Sequence, residues 1–143
     1  MSKHLEDPIL FERTREIMTL YSQEFANYFY QELLHAHSDL ARGFRNTDIS
    51  QQKEKLLDGV AKIFTLLDNE KKLSQYLYDL GIRHICYEVT EEHYPIVRNI
   101  LLKSVKHIHQ SEWNQKYENW WSALITTIID HMMAGCRRIQ EAS

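Results

Sequence analysis

The stretch KKLSQYLYDLGIRHIC, residues 71–86, decides how this chain is read. Leu73, Leu77, Leu80 and His84 follow one another at steps of four, three and four, which makes them one stripe of a single helix. His84 therefore points where the leucines point. A buried imidazole costs on the order of 1–3 kcal/mol unless a partner satisfies it. Taken alone, the residue leaves two readings open, a hydrogen-bonded core histidine and a metal or haem ligand.

Outward from this stretch the chain reads as helix after helix. A first segment runs from about Pro8 to Ser22 and carries Ile9, Phe11, Ile17 and Leu20, with Pro8 suited to a first helical turn. In the second, Phe25, Phe29, Tyr30, Leu33 and Leu34 share one face, and the pattern continues to Leu40, Gly43 and Phe44. Asn46, Thr47, Asp48 and Ser50 form a loop of capping residues ahead of a third helix. That helix places Gln52, Leu56, Leu57, Val60, Ala61 and Phe64 on one side and stops near Asp68 and Asn69. Beyond the opening stretch, Glu91 to His109 has Pro95 in its first turn and Val97, Leu101, Val105 and Ile108 on one face. The last helix, about Ser111 to Glu141, aligns Tyr117, Trp121, Leu124, Ile128 and Met132.

Four glycines and two prolines among 143 residues fall well below the usual share of about 12%. Turn-rich β-sandwiches and barrels need more breakers, so an all-α class is expected, with bundle and globin-like packings both open. The length implies a single domain over residues 1–143. A net charge of −3 with scattered Lys and Arg gives no basic field for nucleic acid. No apolar run suggests a membrane span or signal peptide, so a cytoplasmic location is expected. Cys86 and Cys136 each sit in an apolar helical pattern without a CxxC partner and read as reduced, buried thiols.

Three inward-facing positions, Tyr30, Gln52 and His84, carry polar groups that a plain core would not choose. Each has an ordinary explanation: an amphipathic packer, a first-turn residue, a satisfied histidine. Three on separate helices also suggest one shared site. The pairs His35 with His37 and His107 with His109 are two residues apart, and a two-residue step turns about 200°, so each pair splits across its helix. Glu91 and Glu92 sit at a helix start, where negative charge is favourable. No catalytic Ser/His/Asp or Cys/His spacing and no phosphate loop is present.

Four blocks then resemble bacterial single-domain globins related to the haem domain of flavohaemoglobins. Phe29-Tyr30-Gln31-Glu32-Leu33-Leu34, running through His37 to Phe44, is similar to that family's FY-xx-LF motif. The run from Phe44 through Thr47 and Asp48 to Gln52 is similar to its F-x-x-T-D-x-x-x-Q stretch. Leu80-Gly81-Ile82-Arg83-His84, then Val89 and Glu92-His93-Tyr94-Pro95-Ile96-Val97, resembles the proximal histidine and the start of the next helix; Trp121 to Met132 is the fourth match. Two departures stand out. The family's valine-glycine is Val97-Arg98 here, and its final-helix glutamate has no counterpart, Met132 and Asp130 falling nearest.

The resemblance implies a globin fold, a three-over-three helical sandwich around one haem b (iron protoporphyrin IX). It makes His84 the proximal iron ligand and Tyr30 and Gln52 the distal hydrogen-bonding pair. Phe44, Leu56, Val89 and Tyr94 would wall the haem, with Arg83, and Lys55 or Arg45, toward its propionates. The implied ligands are oxygen, nitric oxide and carbon monoxide, held with high affinity. Nitric oxide dioxygenation would draw on an external reductase, since 143 residues leave no room for a reductase domain. A haem-based gas sensor acting through a partner is the alternative. Trp113, Trp120 and Trp121 leave open both a monomer and a homodimer.

Overall fold

A computed structural model describes residues 3–36, 42, 47–84 and 91–142. Among these residues it shows six α-helices and no strand: α1 Pro8–Leu20, α2 Ser22–Ala36, α3 Ile49–Leu66, α4 Glu70–His84, α5 His93–His109 and α6 Gln115–Ala142. Single 3-10 turns, Lys3–Leu5 and Gln110–Glu112, lead into α1 and follow α5. The expected all-α class holds.

The caps lie where short polar side chains stand before apolar periodicity. Asp7 accepts from the Leu10 amide ahead of α1, with Pro8 in the first position. Asp48 accepts from the amides of Ser50 and Gln51 at the start of α3, the one described part of the expected capping loop that directly positions Gln52. Asn69 and Asn114 do the same for α4 and α6, accepting from Lys72 and Lys116. The first helix ends earlier than expected, at Leu20, and Ser22 already belongs to α2. The reason is geometric. Tyr21 leaves helical dihedrals (φ −117°, ψ 29°), yet its amide still donates to Ile17 and its carbonyl still accepts from Phe25. The four-residue register therefore continues through the bend, and a pattern of spacings registers no break.

The helices pack in pairs, α2 along α5, α4 along α6, and α5 along α6. The main core joins Phe25, Leu67, Leu77, Ile108, Leu124 and Val105, all nearly inaccessible. Trp120 and Trp121 fill it against Phe64, at ring separations of 6.1 and 5.9 Å. Trp120 and Trp121 are thus core residues, and Trp113 is half-buried. Cys136 is buried and free; Cys86, Leu40 and Gly43 lie outside the described residues.

The helix that carries His84 is held by two reciprocal glycines. A Cβ on Gly81 would stand 2.0 Å from the carbonyl oxygen of Met132, and one on Gly135 would stand 2.1 Å from that of Tyr78. Backbone touches backbone at both points, so α4 and α6 cross more closely than side chains would permit. Gly81→Ala forces the helices apart. We expect a loss of about 3 kcal/mol, roughly a 10 °C fall in Tm. Thermal unfolding of the variant checks this, and a stability within about 0.5 kcal/mol of the parent would contradict the crossing.

At the opposite end, Glu112 pins the α5–α6 corner to α1. The Arg13 guanidinium donates to both of its carboxylate oxygens at 2.7 Å, and the Tyr117 hydroxyl donates at 2.8 Å. These bonds, Arg13 first and Tyr117 second, hold the Glu112 carboxyl down at about 2. A carboxyl whose folded pKa is depressed stabilises fully above its unfolded value and loses that contribution as the pH falls toward the folded one. The window here runs from about 4.5 down to about 2. Glu112→Gln should remove this part of the acid sensitivity, read as a smaller gap between urea midpoints at pH 5 and pH 2.5 (about those values) than the parent shows.

Candidate functional site

His84 is the last residue of α4 and is half-buried. Its Nδ1 lies 2.8 Å from the Leu80 carbonyl oxygen, one turn back. A carbonyl can only accept, so Nδ1 carries the proton and Nε2 carries the lone pair. Burial lowers the imidazole pKa, the Leu80 bond opposes this in part, and the neighbouring Arg83 cation lowers it again. The ring is neutral at physiological pH. A neutral imidazole with its tautomer fixed by a backbone carbonyl is the form that ligates a metal.

Across the helices, the Tyr30 hydroxyl in α2 donates to the Gln52 backbone carbonyl in α3 at 3.3 Å. Tyr30 is 7% exposed and packs with Phe29, Leu33 and Ile100 in a second small core, with Leu56, Val97 and Leu101 against it. The sequence pairing of Tyr30, Gln52 and Leu56 is thus a spatial one. Gln52 and Leu56 are half-buried rather than buried, because they occupy the opening turns of α3. Lys55 and Arg83 are exposed. Phe44, Arg45 and Val89 lie outside the described residues.

Tyr94, in the first turn of α5, is 2% exposed, and its hydroxyl has no hydrogen-bond partner among the described residues. Burial is the main reason its pKa rises to about 12, with Cys136 contributing. A phenol buried without a partner costs about 1–3 kcal/mol, and among the described residues none meets the Tyr94 hydroxyl. The two departures noted in the sequence also have structural consequences. Arg98 donates to the Thr126 hydroxyl at 3.2 Å and ties α5 to α6. Asp130 is exposed and Met132 is buried against Gly81, so neither brings a carboxylate toward His84.

Two hollows complete the geometry. A cavity of about 40 Å³ lies among Met18, Phe25, Ile63, Leu101, Val105 and Trp121, and its lining is apolar and aromatic. An open groove of about 430 Å³ runs along α5 between Glu32, Asn99, Lys103 and Glu118, but Tyr30, Gln52 and His84 take no part in it. Among the described residues no cluster of three or more His, Cys, Asp or Glu could hold a metal ion.

The family model for Globin matches residues 23–132, from α2 into α6. The chain belongs to the globin family. This globin is 30% identical over 103 residues to a flavohemoprotein of Bacillus cereus, an overlap of 71% of this chain and 24% of the relative. It is 26% identical over 120 residues to the flavohemoprotein of Rhizobium meliloti, covering 77% of this chain and 30% of that one. The globin thus spans about a quarter to a third of the length of the curated relatives it matches. Its fold follows that of a bacterial globin from Campylobacter jejuni, with a TM-score of 0.78 at 19% identity over 92% of this chain and 95% of that structure. The globin fold expected from the resemblance is thereby the observed one, and membership of the family supports haem-based gas binding.

The residues of this globin fit a haem. His84 supplies an imidazole whose tautomer is set by Leu80, Tyr30 a buried hydroxyl and Tyr94 a buried phenol, all groups that could serve a haem. Sequence reading missed two features. The orphaned state of Tyr94 depends on its surroundings, and the buried state of His109 was hidden because its neighbour His107 is exposed and stacked on Tyr28 at 4.4 Å. The two-residue spacing does place these histidines on opposite sides.

Proposed function

We propose that this globin binds haem b through His84 and holds oxygen and other diatomic gases with slow release, turning nitric oxide over to nitrate when an external reductant completes the cycle. The observation that supports the reading is the contact of His84 Nδ1 with the Leu80 carbonyl, which fixes the tautomer and would leave Nε2 as the ligating atom. When bound, haem supplies the ferrous iron at which a diatomic gas is taken up. His84 holds that group. Tyr30 and Gln52 supply the hydrogen bonds that favour a ligand carrying partial negative charge, as oxygen does and carbon monoxide hardly does. Leu56 and Leu101 keep water from the Tyr30 hydroxyl, which strengthens its bond.

The balance between gas binding and oxygen–oxygen bond cleavage is set on the His84 side. A histidine that donates to a peptide carbonyl remains an ordinary imidazole, whereas a carboxylate acceptor pulls it toward imidazolate and pushes electron density to the metal. The neighbouring Arg83 cation acts the opposite way, lowering the His84 pKa. Reversible gas binding is therefore favoured over peroxidase chemistry. The relatives named flavohemoproteins agree with a haem role.

The test is an absorption spectrum of the purified chain as isolated, after dithionite, and after oxygen or carbon monoxide. A Soret band that moves with each addition supports the reading. A chain that shows none after haem is supplied refutes it.

A further inference from the structure

Beneath the Glu112 network lies a second histidine that the haem reading leaves unused. His109 closes α5, is 3% exposed, and has both ring nitrogens engaged. Nδ1 lies 2.8 Å from the Val105 carbonyl and must be the protonated nitrogen. Nε2 then accepts from the Trp121 indole N–H at 3.4 Å. The ring is surrounded by Trp113, Tyr117 and Trp121, with centroids 5.2, 4.9 and 6.1 Å away. The charged and titratable groups facing it are Glu112 from the corner, Arg13 from α1 and Tyr117 from α6. Glu112 is already taken up by Arg13 and Tyr117, which limits its capacity to serve as counter-ion for a second cation.

The neighbouring tryptophan sets the contrast. Trp120 donates to the His4 peptide carbonyl at 3.0 Å, an acceptor that no pH change within the folded range removes. Trp121, 4% exposed, donates to a nitrogen that can take a proton. With Nε2 protonated, two N–H groups would face each other, and the buried indole has no water to turn to. Trp121 also walls the apolar cavity together with Leu101, and Leu101 packs against the Tyr30 cluster. Directly after His109, Gln110 sits at φ 54°, a left-handed conformation that a non-glycine residue adopts at a cost.

We propose that His109 is a proton-operated latch on Trp121: the neutral ring holds the indole in the cavity wall, and protonation of Nε2 releases it, so that acidification loosens the α5–α6 corner beside the cavity. Burial lowers the His109 pKa, so the release falls below the ordinary imidazole range, while Val105 and Glu112 oppose that shift and Arg13 adds to it. The latch stands on these contacts and does not depend on what the His84 side binds.

The three indole N–H resonances of the full chain, followed by proton–nitrogen correlation spectra from about pH 7.5 to about pH 5, test the proposal. The Trp121 resonance should move with a single-proton midpoint below about 6.5 while that of Trp120 stays. His109→Gln, whose amide can accept from the indole but takes no proton, should abolish the movement. A Trp121 resonance that holds until global unfolding, or moves equally in His109→Gln, overturns the latch. Should that variant not fold, Trp121→Phe decides: without a hydrogen bond to surrender, the His109 ring resonances should titrate about one pH unit higher than in the parent. An unchanged midpoint overturns the proposal.

Discussion

Replacing His84 by Ala should leave a folded helical chain that has lost nearly all of its haem. On the proposed reading the His84 bond is the strong, directional tie to the iron. The imidazole is prepared for that tie before any haem arrives. Its Nδ1 proton is committed to Leu80, and burial keeps the ring neutral near pH 7. Haem retention should accordingly weaken on acidification, as protons compete for Nε2. The measurement is haem content and Soret intensity after purification and desalting, with free imidazole added back to refill the vacated ligand position. His107→Ala is the control, because His107 is exposed and stacks on Tyr28 without touching the site. Full haem content in the His84 variant would remove the central assignment; equal losses in both variants would mean that general destabilisation was being read.

The stripe Leu73, Leu77, Leu80 and His84 made the proximal helix legible because a helix face is a local property, set by spacing alone. The same holds for the caps Asp7 and Asp48, which act within three residues of themselves. The bend at Tyr21 was illegible for the converse reason: its hydrogen-bond register is unbroken, and only the dihedrals of one residue change. Spacing also cannot reveal what a residue meets across the chain. Gly81 reads as a weak spot in a helix until the Met132 backbone is seen 2.0 Å from where its Cβ would be. His109 reads as one half of an uninformative pair until Trp121 and Glu112 close around it. Tyr94 was named from resemblance, but its lack of a hydrogen-bond partner among the described residues is a tertiary fact.

The distal pair shows a mixed case. Tyr30 lies on a legible apolar face, yet the contact that matters joins residues 22 positions apart and runs to the backbone of Gln52, not to its amide. Side-chain identity at position 52 therefore does not determine whether Tyr30 is held; the capped first turn of α3 does. Gln52 is half-buried and, on the proposed reading, would offer its amide as a second, more exposed donor.

Tyr30→Phe should accelerate oxygen release about 10–150-fold while leaving carbon monoxide release within about twofold. The magnitude follows from one hydrogen bond to a charged acceptor, worth about 1.5–3 kcal/mol, at about 1.4 kcal/mol per factor of ten. The selectivity follows from charge: oxygen draws electron density onto its far atom and carbon monoxide hardly does, so only the first rewards a donor. The fold itself should tolerate the change. The hydroxyl lost donates to Gln52 over 3.3 Å, a long bond, and the ring keeps its packing against Phe29 at 5.1 Å. A long bond to a peptide carbonyl also gives up little when a more negative acceptor comes within reach, as the proposed reading requires of Tyr30. Gln52→Leu, removing a donor that water already reaches, should have the smaller effect. Stopped-flow displacement of oxygen by carbon monoxide reads both variants. An oxygen release rate unchanged in Tyr30→Phe would place the stabilising donor elsewhere, and equal acceleration for both gases would mean that the substitution had opened the pocket sterically and not removed a hydrogen bond.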